Sequence, residues 1–493
     1  MMWNDLLVQM PIESRGGDGN PVLTDVTCDS RAVTPGSLYV SIPGFAVNGD
    51  AFIGQAIANG ACAVLSENDQ AGCGVAWATT AQARKCLGRA SRLVYNINLS
   101  RITCVGITGT NGKTTTAHLF KTLLSQKHAA DDVWMFGTIR YCANGKSTPA
   151  HNTTPEAAEI FRAIHEAHRK PCAIVMEVSS HSLALDRVAG MAYDCALFTN
   201  LTQDHLDFHK TMEEYFKAKK ALFTSYLKDR GKAVINIDDE YGKRLASELP
   251  RGRMVTFGKA AAADVRIVKT LCEWDSTTIN VAVAGAPYAF TSKLAGCFNA
   301  YNMAALCAGA YALGMDMDAV SGAFAAIDIV PGRMEKVALD APYSVFVDYA
   351  HTPDALENVL STAAKLTRGR LICVFGCGGD RDRKKRPLMA EAVARHADEA
   401  IVTSDNPRSE SPESIIDEIC AGMPLDFPYR RIADRKEAIR EALSAARSGD
   451  CVIVAGKGHE DYQEIKGVRH HFDDKEEIAL AAAAFREMSA HAK

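Results

Sequence analysis

Short apolar runs alternate with longer stretches of helical periodicity through most of this sequence. The first 95 or so residues are dense in β-like runs and turns, which predict a strand at 37–42, a helix at 51–59 and a strand at 61–65. From about residue 100, strand candidates at 102–107, 173–176, 195–198 and 233–237 alternate with helical segments. That alternation predicts a mostly parallel sheet flanked by helices.

A second α/β rhythm follows further along the chain. Residues 262–292 alternate in the β manner, which predicts an antiparallel edge, and 300–313 form an Ala- and Gly-rich helical stretch. After the turn at 331–333, strand candidates recur at 344–347, 371–375, 400–403 and 451–455, with the spacing of a Rossmann-like domain. We therefore predict an α/β protein of three domains at 1–97, 98–331 and 332–493.

Composition narrows the class of protein. Apolar residues make up 47% and charged residues 23%, as in soluble globular proteins, and the net charge of −4 argues against general nucleic-acid binding. No apolar run approaches the roughly 18 residues that span a bilayer. The N-terminus carries Asp5 and no basic region, so we expect a cytoplasmic protein without a signal peptide. Fifteen cysteines without a CxxC array predict free thiols, with neither a disulfide framework nor a zinc site.

A glycine-rich segment follows the predicted strand at 102–107 and precedes a helical stretch. Its residues are Gly109, Thr110, Asn111, Gly112, Lys113, Thr114 and Thr115. Glycines let backbone N–H groups turn inward around phosphate oxygens. Lys113 would contact the β- and γ-phosphates, and the Thr114 hydroxyl would bind Mg²⁺. The segment is shorter than the GxxxxGK[ST] pattern, whose first glycine would fall at Ile107.

Polar groups follow two later strands. Glu177 comes directly after an apolar run, where a carboxylate could bind Mg²⁺ or could simply lie on the surface. Residues 200–209 are dense in Asn, Asp and His, and include the candidate metal ligand His205. The next segment, 215–223, has the pattern of an amphipathic helix whose three lysines are solvated.

These segments recur in a known order. They are Gly109-Thr-Asn-Gly-Lys-Thr-Thr115, Glu177-Val-Ser-Ser-His181, Asn200-Leu-x-x-Asp204-His205-x-Asp207, Tyr215-Phe-x-Ala-Lys219-x-x-Leu-Phe223, Phe298-Asn299-x-x-Asn302, Pro331-Gly-Arg333-Met-Glu335 and Asp348-Tyr-Ala-His351-Thr-Pro353. Over nearly its whole length the sequence resembles the Mur ligases of peptidoglycan synthesis, and among them the members that add the third amino acid. The resemblance implies domains for a uridine nucleotide, for ATP and for the incoming amino acid. It also implies that a substrate carboxylate attacks ATP to give an acyl phosphate, which the amine then attacks.

The resemblance implies a role for individual residues. Catalytic roles fall to Lys113, Glu177, His205 and Lys219. Two Mg²⁺ ions are implied, with Thr114 and Glu177 binding one, and with His205 and Lys219, as an N6-carboxylysine, binding the other. ATP contacts are implied for Gly109, Thr110, Asn111, Gly112, Lys113, Thr114, Thr115, Asn299, Arg333 and Asp348. His351 lies in a matching segment without an assigned role.

The uridine substrate, UDP-N-acetylmuramoyl-L-alanyl-D-glutamate, has its own matching positions. They are Cys28, Ser30, Asn152, Thr153, Thr154, Ser179 and Arg187. The sequence departs from one version of the pattern at Leu185, where some members have Gln, and a Leu side chain cannot make that polar contact.

Residues 405–408 indicate which amino acid the enzyme adds. Locally, Asp405-Asn406-Pro407-Arg408 reads as a turn, because the residue before a proline avoids the helical region. Within the family it is similar to the version that selects meso-2,6-diaminopimelate, whose extra carboxylate suits a bidentate Arg408. The resemblance implies diaminopimelate contacts at Arg381, Asp405, Asn406, Pro407, Arg408, Gly456 and Glu460.

Several alternatives remain open on the sequence. The enzyme could add L-lysine instead, could add D-Ala-D-Ala like a neighbouring Mur ligase, or could be a folylpolyglutamate synthetase with the same ATP-binding design. A nucleotide-gated binding protein would require a broken Lys113, Glu177, His205 or Lys219, and all are present. We expect small-molecule partners only, namely ATP, the uridine substrate and diaminopimelate, with no nucleic acid, no membrane and a monomeric chain.

Overall fold

The computed structural model describes residues 1–44 and 47–491. The chain forms two compact units that its path enters more than once. The first comprises Met1–Thr108, Leu124–Leu197 and Ala218–Ala233, and the second comprises Gly109–Leu123, Phe198–Lys217 and the chain from Val234 onward.

The N-terminal segment of the first unit is a small α/β layer structure. Its elements are α1 (Trp3–Leu7), β1 (Ser14–Gly16), β2 (Asp25–Thr27), β3 (Ser37–Val40), α2 (Ile53–Ala58), β4 (Ala61–Ser66), β5 (Ala76–Thr79) and α3 (Ala83–Val94). The strand order is β1-β5-β4-β3-β2, parallel except for β1. Helices α1 and α3 pack on one face of this sheet and α2 packs on the other, because apolar residues occupy both faces of β3 and β4.

The central segment contributes to both units. Its elements are β6 (Thr103–Thr108), α4 (Lys113–Leu124), β7 (Val133–Phe136), β8 (Arg140–Ala143), β9 (Lys146–Pro149), α5 (Ala157–Glu166), β10 (Ala173–Glu177), α6 (Ser180–Ala184), β11 (Tyr193–Phe198), α7 (Leu206–His209), α8 (Met212–Ser225), β12 (Leu227–Asn236), α9 (Glu240–Glu248), β13 (Met254–Gly258), β14 (Val265–Cys272), β15 (Thr277–Val283), β16 (Ala286–Ser292), α10 (Asn299–Ala312) and α11 (Met317–Ala326). In the first unit the order β11-β6-β10-β7-β8-β9 places parallel β6, β10 and β7 side by side. In the second unit β14, β15 and β16 form an antiparallel meander beside β13.

The C-terminal segment of the second unit is a doubly wound α/β domain. Its elements are β17 (Glu335–Val337), β18 (Ser344–Asp348), α12 (Pro353–Leu366), β19 (Leu371–Phe375), α13 (Lys385–His396), β20 (Glu399–Val402), α14 (Pro412–Cys420), β21 (Tyr429–Arg431), α15 (Arg435–Ala445), β22 (Cys451–Ala455), β23 (Tyr462–Ile465), β24 (Val468–His471) and α16 (Asp474–His491). The order β17-β18-β22-β19-β20-β21 is parallel except for β17. Helices α12, α13 and α14 cover one face, and α15 and α16 cover the other.

These elements confirm most of the predicted strands. The runs at 102–107, 173–176 and 195–198 are β6, β10 and β11, the run at 233–237 lies at the end of β12, and 262–292 is antiparallel as expected. The four strands predicted after residue 333 are β18, β19, β20 and β22. The helix predicted at 51–59 forms as a 3₁₀ turn, Gly49–Phe52, followed by α2.

Two predictions are wrong. Cys272 and Cys297 are joined by a disulfide, so not all of the cysteines are free thiols. Lys219 is not solvated, because its side chain, on the inward face of α8, is only 1% exposed. Within residues 1–44 and 47–491, no helix has the length and apolar character needed to cross a membrane.

Candidate active site

The glycine-rich loop lies between β6 and α4, as the sequence predicts. Gly109 has φ +148° and Gly112 has φ +85°, conformations that favour glycine. A Cβ atom on Gly109 would lie 1.8 Å from Thr199 Oγ1, and one on Gly112 would lie 2.5 Å from Asn302 Oδ1. Backbone conformation and close packing therefore both require glycine at these positions.

Residues 199–200, which follow β11, form hydrogen bonds with the backbone of this loop. Thr110 N donates to Asn200 O (2.9 Å), Asn111 N donates to Asn200 Oδ1 (2.8 Å), and Thr199 Oγ1 donates to Asn111 O (2.6 Å). These bonds hold the backbone of 109–111 as it leads into α4. The first turn of α4, whose N–H groups point out of the helix, is the place for an anion.

Two basic side chains lie at the loop. Lys113 Nζ donates to Gly109 O (3.0 Å) and Thr110 O (2.8 Å), so the lysine folds back over the loop. Arg333 Nη2 donates to Thr114 Oγ1 over 2.9 Å, and its guanidinium lies 4.7 Å from the centre of the Tyr349 ring. The structure therefore brings together Lys113, Thr114 and Arg333, three of the predicted ATP contacts.

Asn302 connects the loop to a further predicted contact, Asn299. Asn302 Oδ1 accepts from Thr116 Oγ1 (3.3 Å), and its amide donates to Asn299 Oδ1 (2.8 Å). Asn299 in turn donates to Ala295 O (2.6 Å). Asn302 thus packs against the loop while Asn299 supports it from behind. Neither Asn302 nor Asn200 was among the predicted site residues, although both stand in the quoted motifs.

Asp348 lies at the base of the turn that carries Arg333. Its two carboxylate oxygens accept from Met334 N (2.6 Å) and Ala350 N (2.7 Å). Burial raises the pKa of Asp348, and the nearby Arg333 charge opposes that change. In this conformation the carboxylate stabilises the backbone around Arg333.

A compact charged cluster surrounds His205, which has a left-handed backbone (φ 54°). His205 Nε2 lies 3.3 Å from Asp204 Oδ2, and Lys385 Nζ lies 3.5 Å from Asp204 Oδ1. Burial alone would raise the pKa of Asp204. The charges of Lys385 and His205 lower this pKa by more than burial raises it, so the carboxylate is ionised. His351 Nδ1 contacts Tyr349 O at 2.7 Å, and burial and the Lys385 charge lower the pKa of His351 to about 4.

Glu177, in the first unit, is the last residue of β10 and is 1% exposed. Thr138 donates to both of its oxygens: the backbone N to Oε1 and the hydroxyl to Oε2, each at 2.9 Å. A Cβ atom on Gly137 would lie 2.3 Å from Oε1, so that residue must be small. The surface-residue reading of Glu177 is therefore excluded, and the carboxylate has a defined orientation.

The predicted contacts with the uridine substrate fall into two groups within the first unit. Around Glu177, Thr154 Oγ1 donates to Glu177 O (2.8 Å) and accepts from Ser179 N (3.0 Å), and Thr153 Oγ1 lies 3.2 Å from Thr138 Oγ1. Asn152 is further out, where its carbonyl accepts from the Tyr141 hydroxyl (2.5 Å).

The remaining uridine positions lie elsewhere in that unit. Arg187 Nε is 3.7 Å from Glu156 Oε1, and this carboxylate also pairs with Arg84. Ser30 is buried and donates to Gln55 Oε1 (2.8 Å), whereas Cys28 is an exposed thiol.

In the second unit, 405–408 follows β20 and is non-helical, as predicted. Asn406 Nδ2 donates to Glu460 Oε2 (2.8 Å), and Lys457 Nζ lies 3.3 Å from the same oxygen. Burial and the Asp405 charge raise the pKa of Glu460. Burial also raises the pKa of Asp405, but the Lys457 and Arg435 charges lower it more strongly.

Arg408 has a left-handed backbone (φ 52°), and its N–H donates to Glu464 O (3.0 Å). Its guanidinium donates to Gly379 O (2.7 Å). Arg381, two residues after Gly379, is exposed, and its Nη1 donates to Asp380 O (3.0 Å). A Cβ atom on Gly456 would lie 2.5 Å from Asp405 Oδ2, so 405–408 and 456–460 come together closely.

Comparison with known proteins identifies three matching family regions. A Mur ligase family catalytic domain matches 22–98, a Mur ligase middle domain matches 107–310, and a Mur ligase glutamate ligase domain matches 332–458. These regions correspond to three α/β domains with the predicted central phosphate loop and Rossmann-like C-terminal domain.

Relatives that match over nearly the whole chain support the same family. UDP-N-acetylmuramoyl-L-alanyl-D-glutamate--2,6-diaminopimelate ligase of Geobacter metallireducens is 42% identical over 99% of both chains. The protein of that name from Synechococcus elongatus is 44% identical over 94% of both chains. A solved structure of a ligase with this name is 33% identical, with a TM-score of 0.67 over 99% of both chains. The chain belongs to the Mur ligase family.

Proposed function

We propose that the protein is an ATP-dependent ligase that joins meso-2,6-diaminopimelate to UDP-N-acetylmuramoyl-L-alanyl-D-glutamate in cytoplasmic peptidoglycan precursor synthesis. The observation that carries this proposal is the 42% identity, over 99% of both chains, to a ligase with that printed activity. The segment 405–408 supports the choice of amino acid. We further propose that the enzyme acts as a monomer with domains at 1–97, 98–331 and 332–493.

The proposed reaction has two steps. An oxygen of the substrate's terminal carboxylate attacks the γ-phosphorus of ATP, the bond to the β-phosphate oxygen breaks, and ADP leaves. The amine nitrogen of diaminopimelate then attacks the acyl carbon and releases a proton, and the C–O bond to phosphate breaks. Negative charges converge in the first step, so fixed cations are required. Lys113 and Arg333 supply two such cations at the loop.

The donor chemistry fits Mg²⁺, which prefers oxygen ligands. The Glu177 carboxylate offers two oxygens, and hydrogen bonds from Thr138 set its orientation. We propose Thr114, Glu177, His205 and Lys219 as ligands of two ions. Bound Mg²⁺ would neutralise phosphate charge. Among the described residues, no group of three or more His, Cys, Asp or Glu side chains is arranged so that it could hold a metal ion.

Lys219 supports the proposed carbamate. Its side chain is only 1% exposed, so the amine lies in the protein interior and away from bulk water. After the ammonium loses a proton, the neutral amine would add to the carbon of CO₂ and release a second proton, which gives an anionic carbamate oxygen donor in place of a cation. The expected modification replaces one N–H hydrogen of Lys219 with a carboxyl group, and native mass spectrometry at neutral or higher pH in bicarbonate, without acidification, detects it.

For the substrates, we propose binding roles in two regions. Cys28, Ser30, Asn152, Thr153, Thr154, Ser179 and Arg187 would contact the uridine substrate. In the second unit, Asp405 and Glu460 suit the ammonium of the amino acid, while Arg408 and Arg381 suit its carboxylates. The N–H-rich loop at 109–115 would bind the ATP phosphates, with Asn299 and Asp348 positioning Asn302 and Arg333.

A phosphate-release assay tests the proposed function. With ATP, Mg²⁺ and the uridine substrate present, diaminopimelate should stimulate release far more than lysine or ornithine. Arg408→Ala should raise the KM for diaminopimelate and leave that for ATP near the wild-type value. Release that ignores diaminopimelate would contradict the assignment, and equal use of L-lysine would favour the lysine-adding alternative.

A further inference from the structure

A fully buried ion pair lies behind the 405–408 segment. Arg435, the first residue of α15, donates through Nε to Asp474 Oδ1 and through Nη2 to Asp474 Oδ2, both at 2.7 Å. Both side chains are 0% exposed. A two-bond fork of this kind fixes the plane of the guanidinium as well as its position.

The guanidinium also reaches two strand ends. Nη2 donates to Ala455 O (3.1 Å), the last residue of β22, and Nη1 donates to Ser404 O (3.4 Å), just beyond β20. The residue after each carbonyl, Gly456 or Asp405, belongs to the proposed amino-acid site. One side chain therefore joins the starts of both segments that form this site.

The tolerance between those segments is small. Gly456 has φ +117°, and a Cβ atom on it would lie 2.5 Å from Asp405 Oδ2. The positive charges of Lys457 and Arg435 also keep the buried Asp405 carboxylate ionised. A shift of either strand end would move Asp405, and loss of the Arg435 charge would weaken its ionisation.

We propose that Arg435 is a positioning residue for amino-acid selection: it does not contact substrate, but aligns 405–408 with 456–460. This inference rests on the proposed function, since it concerns the same amino-acid site. It predicts that Arg435 affects the KM for diaminopimelate specifically, which a residue needed only for folding would not do.

The test replaces the whole pair rather than one partner. Arg435→Met with Asp474→Leu leaves no unpaired buried charge, and apolar replacement of a buried pair is often neutral for stability. The folded double variant should show a KM for diaminopimelate raised about tenfold or more, with the KM values for ATP and the uridine substrate within about twofold of wild type. An unchanged KM for diaminopimelate in the folded double variant would overturn the proposal.

Arg370 provides a control for the loss of an arginine–aspartate pair elsewhere in the same sheet. It pairs with Asp450 (2.8 Å) at the opposite ends of the same sheet, just before β19 and β22 begin. Arg370→Met should leave the KM for diaminopimelate unchanged, and an increase equal to that of the double variant would also contradict the proposal.

If the double variant does not fold, Arg435→Lys decides. Lysine keeps the charge but cannot make the fork and reach both carbonyls, so the KM for diaminopimelate should rise by several-fold in a folded protein. Wild-type values in this variant would overturn the positioning role. Failure of the proposed function is distinguishable, because wild-type enzyme would then not respond to diaminopimelate at all.

Discussion

Arg333 donates a 2.9 Å hydrogen bond to the hydroxyl of Thr114. Thr114 lies in the first turn of α4, in the region that matches the Mur ligase middle domain, and Arg333 lies in the region that matches the glutamate ligase domain. The bond places a permanent cation from the C-terminal region at the phosphate loop. We therefore expect ATP binding to depend on the position of the 331–334 turn.

Replacing Arg333 should weaken ATP binding selectively. Arg333→Ala removes the charge at Thr114 and the stacking on Tyr349, so the KM for ATP should rise about tenfold or more. Steady-state kinetics at saturating diaminopimelate measures this effect. Arg251→Ala, which breaks only an exposed pair with Asp264, is the control. Equal KM values for ATP in both variants would contradict this dependence.

Gly112→Ala should reduce both stability and ATP affinity. The positive φ alone costs about 1–2 kcal/mol for a non-glycine residue, and the new Cβ would also press on Asn302 Oδ1. Gly314→Ala is a matched control, because Gly314 has φ +65° with open space around its Cβ position. Thermal unfolding and ATP titration should show the larger loss for Gly112→Ala. Indistinguishable variants would show that the contact with Asn302 is unimportant.

Thr138→Val tests the orientation of Glu177. Valine keeps the shape of threonine but loses the hydroxyl that donates to Glu177 Oε2 at 2.9 Å. Mutation of a residue that hydrogen-bonds to a metal ligand typically weakens metal affinity by about 10–100-fold. The Mg²⁺ concentration for half-maximal activity should therefore rise about tenfold or more. Thr278→Val, at an exposed cross-strand contact with Thr291, should leave it unchanged. An unaltered Mg²⁺ requirement in Thr138→Val would argue against Glu177 as a ligand.

Local features of the fold and site were predictable from the sequence. The strand, glycine loop and helix around Lys113 follow from periodicity and from residue types that require a particular backbone. The alternation after residue 333 likewise predicted β18, β19, β20 and β22. In each case the information lies within a dozen neighbouring residues.

Contacts between distant segments were not predictable in this way. Thr138 contacts Glu177 across 39 residues, and Arg435 pairs with Asp474 across 39 as well. Lys219 was misjudged because the helical pattern shows which side chains share a face, whereas burial depends on what packs against that face. The Cys272–Cys297 disulfide was missed because these cysteines are 25 residues apart and meet only when the end of β14 and the segment just before α10 come together.

That disulfide should stabilise the oxidised, purified protein. Its sequence separation of 25 residues corresponds to about 3.5 kcal/mol of unfolding free energy by the chain-entropy relation. Cys272→Ser with Cys297→Ser should lower stability by that order in denaturant titrations. Cys62→Ser, a partly exposed free thiol, is the control. Peptide mapping that finds both Cys272 and Cys297 alkylated without reductant would contradict the pairing.

The most direct test of the central claim is a competition between amino acids. Wild-type enzyme receives ATP, Mg²⁺, the uridine substrate and equal concentrations of meso-diaminopimelate and L-lysine, and mass spectrometry identifies the uridine products. We predict that the diaminopimelate adduct forms almost alone, that it requires ATP, and that Arg408→Ala reduces this preference. A predominant lysine adduct, or no ATP-dependent adduct with either amino acid, would contradict the account.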